Sequence, residues 1–233
     1  MPRKGKRYSK AVEQIDRQKT YELEGALAVL KEFPNAKFDE TVEMAMHLGI
    51  DPRQADQMVR GTLKLPHGSG REVKVMVFAT GQQAEAAKEA GAEHVGYEEF
   101  VEKIQKEGWV DFDVAIATPE TMKEVRKLGR VLGPRGLMPN PKVGTVTDDV
   151  AKAVQEVKAG KVEYRNDRTA NVHVPIGKKS FSAEQLKDNA VAVWDAINKA
   201  KPTAAKGIYI QSVTICSTMS PGITLDAREL SKG

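Results

Sequence analysis

Between residues 38 and 48 the apolar side chains fall two apart: Phe38, Val42, Met44, Met46 and Leu48 are set against Asp39, Glu43 and His47. This period predicts an antiparallel strand with one face in a core and the other toward water. Such a strand needs neighbours, and the N-terminal part of the chain supplies too few. Residues 24–33, with Leu27, Leu30 and Phe33 at threefold spacing and Pro34 and Asn35 closing the run, predict one amphipathic helix. Residues 59–65 predict a second alternating strand, with Thr62 and Lys64 on its polar side. One helix and two strands cannot bury a complete core, so the rest must come from elsewhere in the chain.

After Pro66 the pattern changes. His67, Gly68, Ser69 and Gly70 punctuate the chain, and then compact apolar strands alternate with helices. Strands are predicted over 73–79, 93–96 and 112–117, and helices over 82–90, 98–107 and 148–158. Thr118, Pro119 and Glu120 supply the cap, first-turn proline and acid of a further helix start. This alternation predicts a parallel, doubly wound sheet. Ala159, Gly160 and Lys161 form a second break, beyond which the period of two returns through Val162, Tyr164, Val172, Val174 and Ile176. A helix capped by Ser182 follows, carrying Leu186, Val193, Trp194 and Ile197, and residues 208–215 alternate once more.

The expected fold is therefore α/β with one domain inserted into another. Residues 1–66 and 160–233 together make an α+β outer domain, with a mainly antiparallel sheet of about four strands and two helices. Residues 67–159 make an inserted three-layer αβα domain of Rossmann-like style. Charge divides along the same boundary: the outer residues hold 23 Lys and Arg against 17 Asp and Glu, the inserted ones 13 against 15. The outer domain is thus +6 and the inserted one −2, although the whole chain of 233 residues carries only +4. Pro66, Gly68, Gly70 and Gly160 stand where the chain passes between the two, the natural positions for a hinge.

Several function classes are disfavoured by what the residues omit. With 40% hydrophobic and 29% charged residues the chain should fold, and its apolar runs are far shorter than the roughly 20 residues of a membrane span. The basic N-terminus turns polar at residues 11–13, where a signal peptide needs an unbroken apolar stretch, so a cytoplasmic location is expected. The single cysteine, Cys216, rules out an internal disulfide and reads as a small buried hydrophobe. No metal site is expected, because His47, His67, His94 and His173 show no ligand spacing. The turn after the first inserted strand has one glycine, Gly81, where a dinucleotide fingerprint needs three. The glycine-rich stretch 129–142 ends in Lys142 between Pro141 and Val143, without the Gly-Lys-Ser/Thr of a Walker loop. No nucleophile, base and orienter set is present, and neither an enzyme nor a cofactor is expected.

What remains is a set of surfaces. Arg3, Lys4, Lys6, Arg7 and Lys10 place five cations in the first ten residues, as in a flexible arm or a frayed helix start. Lys123, Arg126, Lys127, Arg130, Arg135 and Lys142 surround one acid, Glu124, in a proline-rigidified loop. That loop suits phosphate as well as it suits a solvated helix end. Lys37, Phe38 and Thr41 put a cation, an aromatic and a hydroxyl at a strand start, a set able to meet phosphate, base and 2′-hydroxyl; core packing of Phe38 is the competing reading. The segment 217–222 leaves a strand through small polar residues, either to approach a ligand closely or simply to turn.

These segments occur together. AKFDETVE at 36–43, LGIDP at 48–52, VRGTLKLPHGSG at 59–70, LGRVLGPRGLMPNPK at 128–142, KAGKVEYRND at 158–167 and STM at 217–219 jointly resemble bacterial ribosomal large-subunit protein one. The resemblance spans nearly the whole chain. It implies a discontinuous RNA-binding domain for the mobile tRNA-exit stalk of large-subunit rRNA, and an inserted domain reaching toward exit-site tRNA. It also implies contacts with other large-subunit components, repression of the protein's own operon through its mRNA, and a monomer when free. By matching motif, the RNA-binding residues are Lys37, Phe38, Thr41, Ser212, Thr218 and Met219; Arg3 and Lys6 add charge, His173 joins them from the strand 171–174, and Arg130, Arg135 and Lys142 lie on a secondary RNA-facing loop. Ser220 departs from the glycine usual in that family after Thr-Met.

Overall fold

The computed structural model describes residues 5–16 and 18–230. In chain order the outer elements begin with helices α1 (Lys6–Glu13) and α2 (Leu23–Glu32) and strands β1 (Thr41–Leu48) and β2 (Arg60–Lys64). The middle of the chain contributes β3 (Val75–Phe78), α3 (Gln82–Glu89), β4 (His94–Gly96), α4 (Glu98–Glu107), β5 (Val114–Ala117), α5 (Met122–Val125), α6 (Gly129–Leu132) and α7 (Val150–Lys158). The chain then returns through β6 (Lys161–Arg165), β7 (Asn171–Lys178), α8 (Ala183–Lys199), β8 (Ile210–Ser217), β9 (Ile223–Leu225) and α9 (Ala227–Leu230). Residues 1–70 with 162–233 form one compact unit and residues 71–161 another. The α/β class holds, with antiparallel pairing in the first unit and parallel pairing in the second.

The outer unit is built on a four-stranded antiparallel sheet in the order β7-β1-β8-β9. The central strand β1 comes from the N-terminal part of the chain and both of its partners from the C-terminal part, which explains why neither part closes a core alone. One face of the sheet carries Val42, Met44, Met46 and Leu48, Val172, Val174 and Ile176, and Val213 and Ile215, all buried. Leu27 and Leu30 of α2 and Leu186, Val193, Trp194 and Ile197 of α8 pack in the same core. Helix α8 starts where Ser182 and Gln185 form a reciprocal capping box. A second, two-stranded sheet pairs β2 with β6, so among the described residues the outer unit has six strands in two sheets and four α-helices, more than the pattern predicted. The extra pieces α1, β9 and α9 are too short to show a period.

The inserted unit has a three-stranded parallel sheet in the order β4-β3-β5. Met76 and Phe78 meet Val101, Ile104, Val125, Leu128 and Leu132 on one side, while Val75 and Val77 meet Ala87, Val150, Val154 and Val157 on the other. All four β3 residues are buried because both faces are covered, hence the unbroken apolar run. The helix anticipated from Thr118 starts at Met122 instead. Thr121 Oγ1 donates to the Phe78 carbonyl at 2.8 Å and its oxygen lies 3.1 Å from that of Thr118, so 118–121 is a locked turn before the helix.

The segment read as a hinge is fastened to the outer unit. Fully buried Asn189 on α8 accepts from His67 N at 3.0 Å, and its amide donates to the carbonyls of Gly68 at 3.0 Å and Ile176 at 2.7 Å. Gly70, at φ 68°, has no room for a side chain, since a Cβ would sit 2.8 Å from Lys178 and Phe181. Asn189→Ala is expected to lower unfolding stability by about 2–4 kcal/mol, three buried hydrogen bonds being lost at once. Urea denaturation followed by circular dichroism measures this, and an unchanged midpoint would show that the segment is held by something else.

Candidate nucleic-acid interface

Several of the residues singled out on the outer unit lie at one end of its sheet. Thr41 opens β1 and Ser217 closes the antiparallel neighbour β8, so the turn after β8 lies against the start of β1. Thr218 N donates to the Thr41 carbonyl at 3.0 Å, and Thr41 N donates to Thr218 Oγ1 at 3.0 Å. Lys178 Nζ, arriving on β7, donates to Thr41 Oγ1 at 3.0 Å. Lys37, Phe38, Thr41, Thr218 and Met219 therefore converge, although 177 positions separate the two threonines.

Phe38 is not a core residue. It sits in a bend before β1, which begins at Thr41 and not at Phe38, and its side chain is 55% exposed. Met219 is 52% exposed at the facing turn. Two large apolar side chains are thus left partly in water at one rim of the sheet. Beside Phe38 is an open hollow of about 480 Å³, lined by Lys31, Lys37, Lys179, Asp39 and Ser180. Asp39 is occupied, accepting from Ser180 N and Oγ at 3.2 and 2.7 Å.

Under this rim lies Glu40, which sequence reading passed over. Only 2% exposed, its carboxylate accepts from Arg7 Nη1 at 3.3 Å, Ala36 N at 3.0 Å, Ser217 Oγ at 2.6 Å and Met219 N at 3.1 Å. Burial acts to raise its pKa, but the hydrogen bonds from Ser217, Met219 and Ala36 and the charge of Arg7 outweigh it and hold the carboxyl below its ordinary value. Ser220 turns its hydroxyl inward, accepting from Ser217 N at 2.8 Å and donating to the Pro221 carbonyl at 3.0 Å, which adds an internal tie to the turn.

The face of the sheet opposite the core is lined by small and polar side chains. Register places His173, Ala45 and Thr214 side by side, and Asn171, His47 and Ser212 in the next outward-facing row. His173 and Ser212 are exposed. Ser212 lies roughly 20 Å from Thr41, six strand residues along. Cys216 shares this open face opposite Glu43 and is half-buried, contrary to its reading as core: its position is in step with Ser212 and Thr214, not with Val213 and Ile215. Burial pushes its thiol up, and the charge of Glu43 adds to the effect.

At the far end of the sheet is an open cleft of about 820 Å³, lined by Arg53, Arg168, Lys206, Gln211, exposed Ile208 and the turn 49–52. None of these three cations has an ion pair or side-chain hydrogen bond among the described residues. Two rigid turns present the arginines. Asp51 Oδ1 accepts from Arg53 N at 3.0 Å. Asp167 accepts from Thr169 N and Asn171 N, both at 2.8 Å; burial opposes its ionisation, but these bonds and the Thr169 hydroxyl prevail and bring its pKa to about 2. Within that turn Ala170 has φ 64°, a left-handed backbone that a non-glycine residue adopts only where its surroundings impose it. Sequence reading missed these cations because they stand singly in three segments.

Of the remaining predicted residues, Lys6 is exposed at the start of α1 and Arg3 lies outside the described residues. Arg130, Arg135 and Lys142 are exposed on the inserted unit. Their loop is shaped from within: Leu137 N donates to the Leu132 carbonyl at 3.0 Å, Asn140 Oδ1 accepts from Lys142 N at 2.8 Å, and Leu137 and Met138 pack on the core. Its one acid, Glu124, pairs with Lys127 at 2.6 Å. Among the described residues no group of three or more His, Cys, Asp or Glu is placed to hold a metal ion, and no helix is long and apolar enough to cross a membrane.

The chain is 55% identical over 230 residues to the large ribosomal subunit protein uL1 of Kosmotoga olearia, with 99% of each chain covered. Residues 30–221, which include β1, the inserted unit and the Ser217–Met219 turn, match the Ribosomal protein L1p/L10e family. The chain belongs to that family of ribosomal, non-enzymatic proteins.

Proposed function

We propose that this protein is a structural constituent of the large ribosomal subunit, working in the cytoplasm, that binds large-subunit rRNA along the open side of its outer sheet. The observation that carries the reading is the convergence of exposed Phe38 and Met219 with Thr41 and Thr218 at one end of that sheet. A flat apolar ring and hydroxyls held by the backbone suit unstacked bases and 2′-hydroxyls, while Arg53, Arg168 and Lys206 at the other end suit phosphates. RNA lying along the face between them would meet His173 and Ser212. This division gives shape recognition at one end and salt-sensitive attraction at the other.

The finer reading follows the family resemblance. The rRNA target is the mobile tRNA-exit stalk, the loop bearing Arg130, Arg135 and Lys142 meets further RNA and exit-site tRNA and helps release it, and the same outer surface represses the protein's operon by taking its mRNA. The test is co-sedimentation of the purified full chain with large subunits stripped of this protein, alongside filter binding to the stalk RNA, the operon mRNA leader and an unrelated RNA of equal length. Retention on the subunits and preference for the first two RNAs is the expected result. Equal binding to all three RNAs with no retention would defeat the proposal.

A further inference from the structure

We propose that Glu40 is the positioning residue of the RNA grip: its ionised carboxylate fixes the Phe38 bend and the Met219 turn in the geometry in which their side chains meet RNA. The inference rests on the reading of this rim as an RNA surface and deepens it, since Glu40 itself is buried beneath the rim and would act through the residues it holds. Its two oxygens join three segments distant in sequence. Oε1 accepts from Ala36 N and Arg7 Nη1, which hold the loop before β1 and helix α1. Oε2 accepts from Ser217 Oγ and Met219 N, which hold the turn after β8. The main chain of Glu40 adds a fourth connection, its carbonyl accepting from Lys179 N at 2.8 Å.

All four partners of the carboxylate are donors, and this sets what chemistry can stand here. A carboxylate offers acceptors on both oxygens, whereas a glutamine offers one oxygen and one NH₂. Whichever way the amide is turned, its NH₂ faces a backbone N–H, that of Ala36 or that of Met219. One side of the rim must then move away, and a polar group is left without its partner in a nearly water-free position. An aspartate, one methylene shorter, cannot span both pairs. The depressed pKa is consistent with this, because the site stabilises only the charged form. Phe38 and Met219 themselves are more than half exposed, so packing restrains them only in part and the backbone beneath them does much to fix their directions.

The experiment is a double-mutant cycle read by filter binding of the full chain to purified large-subunit rRNA, with thermal unfolding measured in parallel. Glu40→Gln is expected to weaken binding about tenfold or more at a temperature where it is fully folded. Met219→Ala is expected to cost markedly less in the Glu40→Gln background than in the wild type, since the turn it stands on is already misplaced. A general loss of stability would leave the two effects multiplying. Ser217→Ala removes one donor without altering the carboxylate, so it keeps the question answerable if Glu40→Gln does not fold; a several-fold loss with the same non-additivity supports the role. Unchanged affinity in a folded Glu40→Gln protein, or strictly multiplicative effects in both cycles, would overturn it. Failure of the wild type to bind the rRNA would instead overturn the RNA reading, and the inference with it.

Discussion

Phe38→Ala is expected to weaken rRNA binding by about 1–3 kcal/mol, roughly five- to 150-fold, while leaving the folded protein almost as stable as before. The two halves of that result have one cause. A ring that is 55% exposed contributes little to the core, so removing it costs little on unfolding. The same ring offers an unoccupied π-face at a rim whose backbone is fixed by Thr41, Thr218 and Glu40. Met219→Ala should act in the same direction and more weakly, as the thioether adapts its shape but cannot stack as a plane. Affinity measured at one salt concentration, with urea denaturation as the stability control, tests the pair. A stability loss of several kcal/mol with unchanged affinity would return Phe38 to the core role that its alternating sequence context first suggested.

Replacing Arg53, Arg168 and Lys206 together by alanine is expected to change a different quantity. Each cation that neutralises a phosphate contributes about one unit to the slope of log affinity against log salt. The triple variant should therefore lose about two to three units of slope, with its deficit largest at low salt and small at high salt. Phe38→Ala should shift the line without tilting it. The contrast separates a shape-reading rim from an electrostatic cleft on the same sheet, and a triple variant with the wild-type slope would remove the cleft from the RNA path. The prediction depends on these cations having no ion pairs among the described residues; a cation already paired to a carboxylate, like Arg60 to Glu163 at 2.6 Å, would release fewer counterions.

Local sequence could reveal only some parts of the proposed interface. Lys37, Phe38 and Thr41 were visible because a cation, an aromatic and a hydroxyl lie within five residues. Thr218 and Met219 were visible only through the family motif, since a short polar turn after a strand has no distinguishing pattern of its own. Glu40 was invisible: in sequence it is one acid in a charged stretch, and its importance comes from four donors supplied by residues 7, 36, 217 and 219. The cleft was equally hidden, its cations standing alone in sequence at 53, 168 and 206.

By itself the sequence determined the periods. Alternation over Thr41–Leu48 and Asn171–Lys178 set which side chains face the core, and the βα rhythm of the middle set a parallel sheet with both faces covered. These are local consequences of side-chain geometry, fixed by each residue's place in its own element. Only the tertiary structure decided that β1 runs between β7 and β8, and that single strand order brings Thr41 against Thr218 and buries Glu40 beneath Met219. Strand pairing is a long-range choice, made by the burial of two incomplete apolar faces in one core. The proposed contact surface is a by-product of that choice, so its members are neighbours in space without being neighbours in the chain.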